Sequence, residues 1–213
     1  LFETFMSKAN TKEKVLDIAE LLFISNGYKN TSLRKITSKA NVNLAAVNYH
    51  FGDKKTLIEQ VLDKYLSQLM PLISKQLLVL NKQESISVRE VLIAVQQPLF
   101  ELENVRENGT FRFLSLIASG YKDVQGHLKR FIVKHYQETL ALFMDSISRA
   151  NPKVNKETLF WQLHFSLGAF VFAVSSKEAL SSLSLNNLNK KVDSAGIVEQ
   201  LIPYLEAAIQ AEK

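Results

Sequence analysis

The sequence predicts an all-α protein: an N-terminal three-helix, helix-turn-helix domain followed by a larger helical domain. Three observations lead there. Only 7 Gly and 4 Pro occur in 213 residues, which disfavours a turn-rich β fold. Leu, Ala, Lys and Glu, all good helix formers, are plentiful. Apolar residues recur with a 3.6-residue period along most of the chain. With 46% hydrophobic and 22% charged residues, the chain is long enough and apolar enough to bury a substantial core in one or two domains.

The first helix is expected over Thr11 to Asn26. Val15, Ile18, Ala19, Leu22 and Phe23 form one apolar stripe, Thr11 can cap its start, and Gly27 can make the turn that stops it. A second helix fits Ser32 to Ala40 with Thr31 as its cap and Leu33, Ile36 and Ala40 inward. Asn41 and Asn43 bracket Val42. Asn tolerates a left-handed turn and also opens helices, so a tight turn is predicted, with Asn43 starting a third helix that ends near Gly52. Asp53 then caps a fourth helix, expected to run from Lys54 to Leu80 with Pro71 inside it. Two short helices with a tight turn between longer neighbours make a helix-turn-helix. This places a domain boundary between residues 53 and 54: 1–53 as the helix-turn-helix domain and 54–213 as a second, larger helical domain.

Further helices are expected at Val88 to Glu103, Thr110 to Ser119, Val124 to Ala150, Lys156 to Ser175 and Ala195 to Ala211. Asn108-Gly109, Ser119-Gly120 and Asn151-Pro152 punctuate them as turn signals. The segment Ser181 to Asn189, SSLSLNNLN, carries no decisive pattern.

No cysteine is present, so disulfides, thiolate metal sites and cysteine nucleophiles are excluded. The four His are His50, His127, His135 and His164, and they form no His-Glu-x-x-His pattern. No Gly-rich phosphate loop occurs, and no nucleophile with a base and an orienting group can be named. An enzyme is therefore not expected, and neither is a cofactor or metal. No apolar run reaches the ~18 residues needed to span a bilayer, so no membrane partner is expected. LFETFMSKAN lacks the basic start and apolar run of a secretory signal. Met6 could serve as an initiator, and a cytoplasmic location is expected.

The net charge is +5, and its placement is informative. Lys29, Arg34, Lys35, Lys39, Lys54 and Lys55 fall within one short segment that holds Asp53 as its only acid. A charge cluster by itself is more often a solvated helix face than a footprint. Here it surrounds a short helix whose Val47 and Phe51 can point to the core, leaving Ala45, Ala46, Asn48 and Tyr49 wholly or partly outward. Alanine methyls suit thymine methyls, and Asn can pair with adenine. Thr31, Ser32, Tyr49 and His50 offer donors for phosphate oxygens. Lys54 and Lys55 stand at a helix start, where cations oppose the helix dipole and a nearby phosphate would relieve the conflict.

The stretch Gly27 to Leu57, GYKNTSLRKITSKANVNLAAVNYHFGDKKTL, resembles the DNA-binding domain of the TetR family of bacterial transcriptional regulators. The elements are Gly-aromatic, Thr-Ser, then Ile36, Ala40 and Val42, then an aromatic-His-Phe triplet, Lys54 and Leu57. The resemblance covers about residues 11 to 62. It implies a homodimer whose second and third helices dock on a near-palindromic double-stranded operator. It also implies phosphate contacts at Thr31, Ser32, Tyr49, His50 and Lys54, and a base or phosphate contact at Arg34. Asn48 replaces a frequent Tyr and Asn41 a frequent Gly, which leaves the role of Asn48 open. Within the family the stretch is similar to PsrA-type repressors, which respond to long-chain fatty acids or acyl-CoA. The implied function is a repressor released by a small apolar effector, with residues 54–213 as its effector-binding and dimerisation domain. The alternative is a helical small-molecule binding protein without specific DNA binding.

The later helices carry many aromatics, most of which core packing accounts for. As effector contacts the candidates are Phe111, Phe131, Phe143, Trp161 and Phe165, with Arg112, His135 and His164 as polar partners. Leu163, Leu167, Phe170, Val171 and Val174 form one apolar stripe, and Leu201 and Leu205 belong to another. Both stripes are read as a two-fold helical interface, though either could face the chain's own core.

Overall fold

The computed structural model describes residues 2–121 and 126–211. Among these the elements are helical throughout: α1 Phe2–Asn26, α2 Leu33–Ala40, α3 Leu44–Phe51, α4 Lys54–Leu80, α5 Val88–Phe100 with a 3-10 turn at Glu101–Asn104, α6 Gly109–Tyr121, α7 His127–Ala150, α8 Lys156–Ser175, α9 Lys177–Leu188 and α10 Ser194–Gln210. The predicted start of α7 at Val124 lies outside the described residues. Helix α9 occupies the stretch that carried no pattern, and none of its residues is buried. A helix without a packed face leaves no periodic signal to read.

The chain forms two compact units, one of residues 1–67 with 115–135 and one of 68–114 with 136–213. The boundary expected at 53/54 follows the end of the helix-turn-helix along the chain. The packing units instead gather the first half of α4 and a later segment with the N-terminal helices. Helices α4, α6 and α7 each supply residues to both units. In α7 the change falls at Tyr136, whose φ of −131° and ψ of 20° break the helical run.

In the first unit most of the predicted stripes are buried: Val15, Ala19, Leu22 and Phe23 of α1, Ile36 and Ala40 of α2, Val47 and Phe51 of α3, and Leu57, Ile58, Val61 and Leu62 of α4, while Ile18 and Leu33 are half-buried. Helices of eight residues cannot persist alone, so burial against longer neighbours holds α2 and α3. Local chemistry fixes their ends. Ser32, rather than Thr31, caps α2 by accepting from the Lys35 N–H. Asn41 ends α2 in the left-handed region at φ 51°, where Asn costs little. Asn43 caps α3 through the Ala46 N–H at 2.7 Å, and Gly52 ends it at φ 71°. The buried Glu20 carboxylate accepts from the Tyr65 hydroxyl at 2.9 Å, which ties α1 to α4.

In the second unit α10 packs against α8 and α5. Val198, Ile202, Leu205 and Ile209 of α10 and Leu159, Ala173 and Val174 of α8 are buried there. The Arg149 guanidinium donates to the carbonyls of Asn81, Gln83 and Glu84 and so closes the C-terminal end of α4. Asn151 donates to the Ile209 carbonyl at 2.7 Å. A reciprocal Ser87–Glu90 capping box opens α5.

Two of these caps make stability depend on acid pH. Asp53 is held below the usual carboxylate range chiefly by the Thr56 N–H, and Glu90 by the Ser87 hydroxyl and N–H. Groups with lowered folded pKa values contribute stability above their ordinary pKa and lose it as pH falls through the folded value. Thermal stability is therefore expected to decline below about pH 4 and to be unaffected by these groups near neutrality. Asp53→Asn and Glu90→Gln should flatten that acid limb, as melts across a pH series would read.

Candidate nucleic-acid interface

Helix α3 is eight residues long, and an α-helix about 10–12 Å across with its side chains fits the roughly 12 Å width of a major groove. Its inward side is Val47 and Phe51, at 0% and 3% exposure. Its outward side is Leu44, Ala45, Asn48 and Tyr49, with Ala46 and His50 half-buried. Tyr49 is 74% exposed, and its ring meets His50 edge-on at 5.1 Å. Around this face Ser32, Arg34, Lys35, Lys39 and Lys55 are exposed. Ser32 accepts from a backbone N–H while its own hydroxyl proton can still reach a phosphate. Lys35, Lys39 and Leu44 were not among the expected contacts, although both lysines belong to the charge cluster visible in the sequence.

Two expected phosphate contacts are placed differently. Thr31 is fully buried, and its hydroxyl is shared between the carbonyls of Leu22 and Gly27 at 3.0 and 2.9 Å. It therefore closes the C-terminal end of α1 instead of facing a strand. The Lys54 ammonium donates to the Tyr28 and Thr31 carbonyls at 2.9 and 3.0 Å and lies 4.2 Å from the centre of the Tyr28 ring. The conflict between this cation and the helix dipole is thus offset by two carbonyl oxygens. Tyr28, which sequence reasoning saw only as a family element, is the keystone: its ring also meets the buried His127 ring at 4.8 Å. Lys54→Met should lower stability by about 1–3 kcal/mol, because two charge-assisted bonds and a cation–π contact are lost together. A melt unchanged from the parent would contradict the clamp.

The residues expected at an effector are divided between the two units. Phe111, Arg112 and Phe143 are half-buried in the second unit. Phe131 and His135 belong to the first unit, where their rings meet at 4.7 Å and His135 is exposed. Trp161, His164 and Phe165 point to solvent from α8, with Trp161 stacked on Phe165. The stripe expected at the dimer interface is the one that turns inward. Val174 and Leu205 are buried in the chain's own core, and Leu163, Leu167, Phe170, Val171 and Leu201 are half-buried. The more buried side of α8 is thus the one expected at the dimer interface, and the more exposed side carries the residues expected at an effector. This helix is apolar nearly all round, so composition could not orient it. For the same reason α8 is long and apolar enough to cross a bilayer by length and composition, contrary to the sequence expectation. Averaged hydropathy tolerates the polar residues that interrupt the run.

Comparison with known proteins agrees with this architecture. Residues 15–61 match the family model described as bacterial regulatory proteins, tetR family. Residues 94–208, more than half of the chain, match the tetracyclin repressor-like C-terminal domain. The chain is 36% identical over 58 residues to the probable HTH-type transcriptional regulator YttP of Bacillus subtilis, covering 27% of this chain and 28% of that relative. It is 26% identical over 136 residues to IcaR of Staphylococcus aureus, the HTH-type negative transcriptional regulator of the biofilm operon icaADBC, covering 60% of this chain and 70% of that relative. The fold is shared with the fatty acid degradation regulator FadR of Bacillus halodurans, at TM-score 0.58 and 14% identity over 95% of this chain and 97% of that one. It is also shared with a HlyIIR variant, at TM-score 0.56 and 18% identity over 96% and 99%. The chain belongs to the tetR family of bacterial regulatory proteins and is a DNA-binding transcriptional regulator.

Proposed function

We propose that the protein is a homodimeric repressor that leaves a near-palindromic operator when a small apolar effector binds. The observation that carries this reading is the open face of α3, with Ala45, Asn48 and Tyr49 outward and Arg34, Lys35, Lys39 and Lys55 exposed around it. In this reading residues 1–53 contact the duplex. Ser32, Tyr49, His50 and the exposed cations bind phosphates, and Arg34, Ala45, Ala46 and Asn48 read base edges. The Staphylococcus aureus relative is a negative transcriptional regulator, and repression is proposed here on that likeness.

Residues 54–213 carry the effector and dimer functions. The half-buried Phe111, Phe143, Leu163, Leu167 and Phe170 supply apolar surface for a long-chain acyl ligand. The Lys177 ammonium lies 5.3 Å from the centre of the Phe111 ring, and a cation beside that ring suits an anionic head group. The exposed aromatic face of α8 is the surface for the second copy. Effector and operator then oppose each other reciprocally, with a coupling of about 1–3 kcal/mol.

Selection of duplexes from a randomised pool tests the DNA reading. It should enrich a two-fold symmetric site whose half-sites lie about 10 base pairs apart, centre to centre, or a multiple of that. No enrichment, or enrichment of an asymmetric site, would remove the operator model. Mass spectrometry of the small molecules released on denaturation tests the effector. A long-chain acyl species is expected, and a polar species in its place would contradict the proposed class.

A further inference from the structure

A second group of cations lies outside the helix-turn-helix but within the same compact unit. From Gly126 to His135 the chain carries Lys129, Arg130 and Lys134 and no Asp or Glu. This stretch opens α7 and belongs to the unit of residues 1–67 with 115–135. His127 ties it there. Its side chain is buried, and its ring lies 4.8 Å from that of Tyr28 in the turn between α1 and α2. Arg130 and Lys134 follow His127 at i+3 and i+7, so they continue along that side of the helix, about 4.5 and 10.5 Å further on. Both are exposed, as is Lys29 next to Tyr28. The side of α7 that is covered at His127 is therefore open at Lys134, and the two cations stand where the α1–α2 corner ends. Among the described residues no carboxylate forms an ion pair with Arg130 or Lys134. Lys54, by contrast, already gives its ammonium to two carbonyls of that corner.

We propose that Arg130 and Lys134 form a second phosphate-binding edge, which grips duplex DNA outside the base pairs read by α3. This rests on the reading in which α3 enters the groove. Three features favour a duplex flank over a solvated helix face. The corner that these cations border also carries the start of α2: Tyr28 is four residues before Ser32, the α2 cap assigned to a phosphate in that reading. The edge belongs to the same compact unit as α3, so it is brought to the duplex whenever α3 docks. It is also cationic where its own helix does not favour cations. The first turn of α7 holds Arg130 and no acid, against the helix dipole, and a phosphate alongside would reverse that disadvantage. Contacts confined to phosphates carry no sequence information. The edge therefore raises affinity for any flanking sequence alike and leaves the choice of site to α3.

Duplex length tests this without altering the protein. A selected site trimmed to its two half-sites is compared with the same site extended at each end by one helical turn, about 10 base pairs. Two cations from each of two copies should make the extended duplex bind about tenfold tighter at about 50 mM salt, with a log–log salt slope steeper by about 2–4. Randomising the sequence of the extensions should change neither value. The double variant Arg130→Gln with Lys134→Gln should hold the trimmed site as the parent does and lose the gain from the extensions, with helical circular dichroism retained. Lys129→Gln removes one charge from the side of α7 turned away from His127 and should keep that gain within twofold. If the parent binds trimmed and extended duplexes equally at every salt concentration, this inference falls and the α3 reading stands. If the parent binds neither, both fall. Vesicles of phosphatidylglycerol that sediment the parent but not the double variant, while the extensions add nothing, would assign the edge to a membrane and overturn the proposal.

Discussion

Replacing Ala45 by glutamate is expected to lower duplex affinity by at least about a hundredfold, because a carboxylate set against phosphates or carbonyl-rich base edges costs several kcal/mol. The fold should not suffer. Ala45 is exposed and stands in the first turn of α3, where an acidic side chain complements the helix dipole. Stability and binding should therefore move in different directions, with the melting temperature unchanged or slightly raised and duplex binding lost. Fluorescence anisotropy and a thermal melt on the same preparation read both. If affinity stays within threefold of the parent, α3 does not face the groove.

Truncating Phe51 should do the opposite. Phe51 is 3% exposed and, with Val47, is one of the two buried anchors of an eight-residue helix. Phe51→Ala is expected to destabilise the first unit by about 3–5 kcal/mol through lost burial and the cavity left behind. That is a large share of the 5–15 kcal/mol that typically holds a domain together. DNA binding should fail together with the fold, and lowering the temperature should recover part of both. A variant with parental stability that no longer binds would mean that Phe51 acts at the interface. Comparing Ala45→Glu with Phe51→Ala thus separates the reading face of α3 from the face that holds it.

The helix-turn-helix was legible because its instructions are local. Asn43 before an apolar turn, Gly52 after it, and Val47 with Phe51 four residues apart specify the short helix and its buried side. What remained hidden depended on distant partners. The cation at the start of α4 reads as a phosphate seeker until the carbonyls of Tyr28 and Thr31 are seen to accept from it. Thr31 reads as a cap or a strand contact, and it is in fact buried under the end of α1. The faces of α8 could not be assigned, because Phe, Leu and Val occur on every side of it and only packing against α10 decides which side is inside. Helix α9 escaped notice because its leucines fall on no common face and its Ser and Asn residues have little helix propensity. The grouping of residues 115–135 with the N-terminal helices is a matter of packing across the chain, which no local pattern encodes.

The central claim is that the exposed side of α3 and its ring of cations bind a duplex, and the salt dependence of affinity for a selected site tests it most directly. With Arg34, Lys35, Lys39 and Lys55 contributing from each of two copies, log affinity should fall with log salt at a slope of about −4 to −7, each neutralised phosphate adding about −0.9. The scrambled duplex should bind far more weakly at every salt concentration. A slope near zero, or equal affinity for the selected and scrambled duplexes, would contradict the account.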